Sequence, residues 1–383
     1  MIFYLELFAA TGEQRFLQTA VAGAEDLMAY AAAAKQQSCA IYTGWPGLAF
    51  ALSEVGRVST DSRFTQAARQ ALERLRDSAT ELGAGIGWIE PMPFSDIHGF
   101  KGDREVYDAS VGAAGAGFVL LYAAERGLHA EALSWARAVG DRLLEVAEPT
   151  AGGLNWALMA DMPFPWRPSN FAHGAGGVGT FLAMLHQSTG DRRYLDAAVQ
   201  AAAHLMHIAH PMGDGHLVHH HDGDGEALYY LSACHGPPGT TRLFHVLHEI
   251  TGDVRYADWI DGALRGLLST GAPEVRSDGL WNNVSQCCGD AGIGDFALLR
   301  YRAGGDARYL DLARRAGAEL ERRSVEVGGQ RLWPQAEHRE RPRFLQAQTG
   351  YMQGAAGIAS FYLNLHATDT GRDVKIVFPD VPA

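Results

Sequence analysis

No run of 18 consecutive apolar residues occurs in the chain, so no segment reads as a membrane-spanning helix. Basic residues are in deficit. The 32 Lys and Arg stand against 44 Asp and Glu, a formal net charge of −12 at pH 7, which argues against a surface built for nucleic acid or another polyanion. Cysteine is scarce. Four cysteines in 383 residues do not make a disulfide scaffold, and the adjacent Cys287 and Cys288 are badly placed to bridge each other, so a reducing cytoplasm is expected. A Gly-rich phosphate loop in a strand–helix context is also missing, so nucleotide use is not indicated. The opening MIFYLELFAATGEQRF is apolar for about ten residues and lacks a basic start; neither signal peptide nor membrane anchor is expected from it.

Glycine is the residue in excess. There are 45, about 12% of the chain against an average usage of roughly 7%, without the period of collagen and with an ordinary 15 prolines. Much of the excess has a place. GWPG from Gly44, GAAG from Gly112, GAGG from Gly174, GPPG from Gly236, GDAG from Gly289 and GAAG from Gly354 each precede an apolar stretch. These segments with their immediately following glycines hold 16 of the 45, leaving 45 − 16 = 29, close to ordinary usage.

A second repeat alternates with the first. TGEQRF from Thr11, STDSRF from Ser59, TGDRRY from Thr189, TGDVRY from Thr251 and GGDARY from Gly304 share a small residue, an acid and an Arg-aromatic pair. The acid suits a helix N-terminus. After Tyr194, apolar residues at Leu195, Ala198, Val199, Ala202, Leu205 and Met206 keep to one helical face. Amphipathic helices are predicted near 12–35, 61–79, 129–148, 190–210, 252–270 and 305–324. FYLELFAATG at the start answers FYLNLHATDTG near the end, a seventh apolar copy without its glycine pair. Apolar helices alternating with amphipathic ones can bury the former inside a ring of the latter. The fold expected is all-α, an α/α toroid (α/α7 barrel) spanning 1–383 as one domain. Its glycine starts should share one rim and leave their first amides uncovered as a donor-rich surface.

Chemistry-bearing residues stand just before the glycine pairs: Asp108 in YDASVG, His173 in NFAHG, Cys234 and His235 in SACHG, Cys287 and Cys288 in QCCG. In a toroid they converge on one rim. Three thiolates there suit a tetrahedral soft-ligand metal such as zinc, with a fourth position left for water or substrate. Cys39, on an Ala-rich stretch, reads as a packed hydrophobe. His216, His219, His220 and His221 lie in a Gly-Asp-rich segment expected to be a mobile loop, since adjacent histidines rarely chelate one ion well. Two long inserts, Phe94 to Tyr107 and Trp156 to Phe171, offer Trp156, Phe164 and Trp166 as exposed candidates for peptide contact or as core.

The HGAGG, CHGPPG and CCGDAG motifs on this alternating helical repeat resemble the LanC-like lanthionine synthetases (lanthipeptide cyclases) over essentially the whole chain. The resemblance implies an α/α toroid holding one Zn²⁺ and joining a peptide cysteine thiol to dehydroalanine or dehydrobutyrine. It implies Cys234, Cys287 and Cys288 as metal ligands, matching the family's three-cysteine subgroup. It implies His173 as the acid that protonates the enolate and Asp108 as its support. Tyr230 and His235 depart from the family's usual Arg and aromatic near the first metal cysteine. That opens a proton-transfer or ligand-supporting role for His235. Gln353, before Gly354, is a further substrate-contact candidate.

With a substrate thiolate bound, four sulfurs around zinc carry −2 where a site with one histidine carries −1, which should leave the thiolate more nucleophilic. The implied partner is a dehydrated precursor peptide, made by a separate dehydratase or a fused synthetase domain, with no nucleic acid and no transmembrane segment. Rival readings are addition of glutathione or another small thiol to dehydroamino acids, a non-catalytic zinc-containing toroid, and a carbohydrate-active toroid. The last would need a carboxylate pair that the sequence does not display.

Overall fold

The computed structural model describes residues 1–34, 37–91, 102–162 and 166–382. Among these, thirteen α-helices alternate between two layers. The inner set is α1 (Ile2–Thr11), α3 (Trp45–Ser59), α5 (Ala113–Glu125), α7 (Ala175–Thr189), α9 (Pro237–Thr251), α11 (Asp290–Gly304) and α13 (Ala355–Asp369). The outer set is α2 (Gln14–Ala33), α4 (Ser62–Asp77), α6 (Ala132–Glu145), α8 (Arg192–Ile208), α10 (Val254–Ser269) and α12 (Ala307–Arg323). Each inner helix packs on the next, and α13 packs on α1, so the ring closes as the toroid predicted. The short α1 is the seventh inner helix. No described helix is long and apolar enough to cross a membrane.

The outer-helix motif has a local cause. Asp61, Asp191, Asp253 and Asp306 are N-caps whose carboxylates accept from the backbone N–H of Arg63, Arg193, Arg255 and Arg308. The same arginines fold back to pair with their own caps, with Nη2–Oδ2 distances of 2.8, 2.7, 2.6 and 2.7 Å. One acid thus serves both a helix start and an ion pair. The aromatic that follows, Phe64, Tyr194, Tyr256 or Tyr309, turns inward and is buried.

Small two-stranded pairings fill the connections. Hairpins at Thr80–Gly87, Glu148–Asn155 and Val325–Leu332 lead to Trp88, Trp156 and Trp333. Each indole N–H donates to a carbonyl thirteen residues earlier near an outer-helix end: Leu75 (3.0 Å), Leu143 (2.7 Å) and Leu320 (2.9 Å). Trp156 is therefore fully buried, and its reading as an exposed contact is corrected. Phe94 and Phe164 lie outside the described residues.

The glycine pairs are steric necessities. Each first glycine is the N-cap of an inner helix, and each second one meets the carbonyl six residues before it. At Gly239 an added Cβ would sit 1.9 Å from the Ala233 oxygen, and at Gly357 1.9 Å from that of Tyr351. The preceding loop is pressed flat on the helix start. Its carbonyls take the first amides: Ala113 and Ala114 donate to Val106 and Tyr107 at 3.0 Å, and Ala355 donates to Gln348 at 2.9 Å. The expected uncovered donor surface is thus corrected, because those amides are spent on fixing the loops.

Candidate metal and acid–base site

The pinned loops form a ring of their own. Ile41 N–H donates to Ser110 O (3.2 Å), Ser110 to Ala172 (3.2 Å), Ala172 to Cys234 (2.7 Å), Cys234 to Cys287 (3.0 Å) and Cys287 to Met352 (3.0 Å). From Ser110 onward, every member stands two residues before a first glycine. These backbone bonds register six repeats against one another around the rim. They also form the floor of a cavity of about 850 Å³ lined by Thr43, Val111, His173, His235, Cys288 and Gln353, one position before each glycine. Residues two positions before the glycine alternate with these around the floor.

Three sulfurs meet there. Cys234 Sγ lies 3.2 Å from Cys288 Sγ, which lies 3.4 Å from Cys287 Sγ, and all three fall within 4.8 Å of one another. Tetrahedral zinc with bonds of about 2.3 Å would space its sulfurs by roughly 3.8 Å, so a small outward adjustment fits the ion. Among the described residues, buried Trp281 Nε1 and His235 Nδ1 have no hydrogen-bond partner, one packed among the sulfurs and the other next to Cys234 in the chain. The donor set of three sulfurs is soft and clustered, which suits a metal such as zinc. Hydrogen bonds from the Cys234 and Cys288 thiols hold Cys287 well below the usual thiol range, while burial pushes Cys234 up. Cys39 is buried apart from this group, its thiol turned to the Val111 carbonyl at 3.4 Å.

An imidazole–carboxylate pair lines the same cavity. Asp108 is 0% exposed; one carboxylate oxygen accepts from Ser110 N (2.8 Å) and Val111 N (2.7 Å), and the other pairs with His173 Nδ1 at 2.6 Å. Two backbone donors fix the acid, and the acid fixes the ring. Gly174, at φ 103°, occupies the left-handed region that lets the chain turn directly after His173. His235 is buried with its ring centroid 5.2 Å from that of His173, and burial pushes it well below the usual histidine range. Tyr230, Gln353 and Trp166 also line the cavity.

Sequence reasoning missed two neighbours. His220 and His221, read as part of a mobile loop, are buried and line this cavity. Their segment is tied down: Asn170 Nδ2 donates to His219 O at 2.7 Å, and His220 N to Leu228 O at 2.7 Å. His216 instead packs on Trp259, with centroids 4.7 Å apart. The available signal was proximity in sequence, because HHHDGDG ends only five residues before Tyr230.

A sequence profile described as Lanthionine synthetase C-like protein matches residues 1–381. No curated protein sequence matches the chain. Among solved structures, nisin cyclase aligns with a TM-score of 0.68 at 14% identity, covering 99% of this chain and 88% of that one. The GH76 α-mannanase BT2949 of Bacteroides thetaiotaomicron aligns with a TM-score of 0.57 at 16% identity, covering 88% of each chain. D-mannose isomerase aligns with a TM-score of 0.55 at 14% identity, covering 88% of this chain and 87% of that one. At these identities the structural likeness establishes a shared helical toroid.

Proposed function

The chain belongs to the lanthionine synthetase C-like family, and from that premise we propose that it is a zinc-dependent thioether cyclase. Its reaction adds a peptide cysteine thiolate to dehydroalanine or dehydrobutyrine, giving lanthionine or methyllanthionine. The observation that carries the reading is the meeting, in one cavity, of three clustered sulfurs and a buried His173–Asp108 pair. Neither half alone would specify this chemistry. A glycosidase would require two carboxylates flanking a substrate bond; this cavity does carry Asp222, Asp224, Glu337 and Glu340 in its lining, but the three clustered thiols beside the His173–Asp108 pair favour thioether formation.

Cys234, Cys287 and Cys288 would hold the zinc, leaving a fourth position. When bound, the ion lowers the pKa of a substrate thiol and presents it as thiolate. The chain's own residues govern the rest. The sulfur lone pair forms a bond to Cβ of the dehydro residue, and the displaced π electrons pass to the adjacent carbonyl as an enolate. His173 donates a proton to Cα, completing the thioether. Asp108 accepts from His173 Nδ1–H, so the ring's Nε2 carries the transferable proton and the buried carboxylate stabilises the charged ring. The cavity volume of about 850 Å³ suits a peptide segment as the bound substrate. The dehydrated peptide would come from a dehydratase on another chain or in a fused synthetase.

The test is incubation of the zinc-loaded protein with dehydrated cysteine-containing peptides, followed by thiol alkylation and mass spectrometry. Loss of alkylatable thiol without mass change supports the reading. Addition of glutathione but no peptide ring assigns a small-thiol transferase, and intact thiols across several peptides assign a binding role. Cys287→Ala should lose stoichiometric zinc.

A further inference from the structure

Addition of a thiol across a double bond has two proton events. One proton leaves sulfur and another arrives at carbon. The His173–Asp108 pair serves the second event, and the proton released from sulfur needs an acceptor of its own.

A second hydrogen-bonded array faces the cavity. His221 Nε2 lies 2.9 Å from Asp224 Oδ1, and His221 Nδ1 lies 2.7 Å from His220 Nδ1. The protonation pattern follows from donor counting. An aspartate only accepts, so His221 carries its hydrogen on Nε2 and presents a bare Nδ1. That nitrogen must accept, so His220 carries its hydrogen on Nδ1. The remaining nitrogen of His220, Nε2, is then a lone pair without a hydrogen-bond partner among the described residues. His220 lines the same cavity as the three sulfurs, His173 and His235. Its ring lies 4.2 Å from that of His235 and 4.3 Å from that of Tyr230. Among the described residues, the cluster that could hold a metal comprises the three cysteines and no histidine.

We propose that His220, oriented by His221 and Asp224, is the general base that takes the proton of the incoming substrate thiol. This inference rests on the thioether-forming reading above. The proton passes from the substrate S–H to His220 Nε2, and the sulfur electron pair is freed to form the S–Cβ bond. The proton placed on Cα comes from His173. The two imidazoles end the turnover with their protons exchanged and are reset through solvent, so the net change is thiol plus alkene to thioether.

The array is built for the purpose. Gly225 lies directly under the His221 ring, where an added Cβ would fall 2.2 to 2.5 Å from its atoms, and His221 also bridges Pro168. Asp224 is 97% exposed, which gives the far end of the array contact with water. His220 is held in its unprotonated form by burial and by the neighbouring His221, His173, Arg339 and His219. His235, Tyr230 and Trp166 also pack around it, with ring centroids 4.2, 4.3 and 6.2 Å away.

Two measurements test the proposal. In the zinc-loaded wild-type protein labelled with ¹⁵N-histidine, His220 should show the less common Nδ1–H tautomer and His221 the Nε2–H tautomer. His220→Asn should bind zinc at the wild-type stoichiometry and lose at least ~100-fold in cyclisation rate, with partial recovery in added imidazole. Asp224→Asn should lose less. An imidazolium or an Nε2–H tautomer at His220 overturns the proposal. So does an undiminished rate in His220→Asn, or loss of its zinc, which would place His220 in the metal site. A wild-type protein that forms no thioether at all refutes the cyclase reading itself.

Discussion

Gly292 offers a direct test of how the fold positions the sulfurs. It is the second glycine of the GDAG pair, in the first turn of α11. A Cβ built there would lie 2.1 Å from the carbonyl oxygen of Gln286 and 2.4 Å from Ser232 Oγ. Ordinary contact begins near 3.4 Å, so Gly292→Ala must push the Gln286 backbone by about 3.4 − 2.1 = 1.3 Å. Gln286 immediately precedes Cys287 and Cys288 in the chain, so the displacement reaches two of the three sulfurs. Metal–ligand distances tolerate only about ±0.2 Å. Zinc affinity should therefore fall at least as far as it does when a ligand's supporting contact is lost, roughly 10- to 100-fold. Overpacking at a rigid backbone costs about 1–3 kcal/mol, against a helix-propensity gain of at most ~1 kcal/mol. Gly304 is the internal control, because it lies in the same helix with nothing within 4 Å of an added Cβ. Gly304→Ala should leave zinc affinity unchanged and raise stability by about 0.5–1 kcal/mol. The assay is competition for zinc against a chromophoric chelator, paired with thermal unfolding of the apo and loaded forms. Wild-type zinc affinity in Gly292→Ala would refute the argument that the glycine pair sets the sulfur positions.

Other outcomes follow from single residues. Asp108→Asn preserves the acceptor for Ser110 and Val111 N–H but turns an amide donor toward His173; cyclisation should fall ~10²- to 10⁴-fold with zinc content intact, measured by steady-state rates and metal analysis. His204 is pushed down to about 4 by burial, with Thr150 Oγ1 at 2.9 Å and Ser169 Oγ at 3.1 Å on its two nitrogens. A histidine with a depressed folded pKa contributes stability that is present above pH 6.5 and lost as pH falls toward 4. Denaturant unfolding of the wild type should therefore show about 2 kcal/mol less stability from this group at pH 5 than at pH 7, and His204→Gln should flatten that difference. Trp156→Phe leaves the Leu143 carbonyl without its indole donor and opens space in the core. It should lower stability by roughly 1–3 kcal/mol without changing zinc content.

The sequence by itself determined the alternation of helices, because the cause of each repeat is local. An aspartate that caps a helix and pairs with the arginine two residues on is legible wherever it recurs, as at Asp191 and Asp253. A glycine pair spaced three apart marks an inner-helix start for an equally local steric reason. Predicted outer helices such as 190–210 and 252–270 needed only trimming, to Arg192–Ile208 and Val254–Ser269. The convergence of Cys234, Cys287 and Cys288 was also legible, since equivalent positions of a closed ring must share a rim.

Three things were decided only in the tertiary structure. The backbone bonds from Ile41 through Ser110, Ala172, Cys234 and Cys287 to Met352 join residues more than fifty positions apart, so no local pattern encodes them. The burial of Trp156 depends on a carbonyl at the end of an outer helix that faces it only after packing. The placement of His220 and His221 depends on Asn170 and Leu228 drawing a polar, glycine-rich segment inward. Composition marks such a segment as solvent-exposed loop. Buried hydrogen bonds to distant backbone groups overrode that preference and placed His220 and His221 in the lining of the cavity that holds the sulfurs.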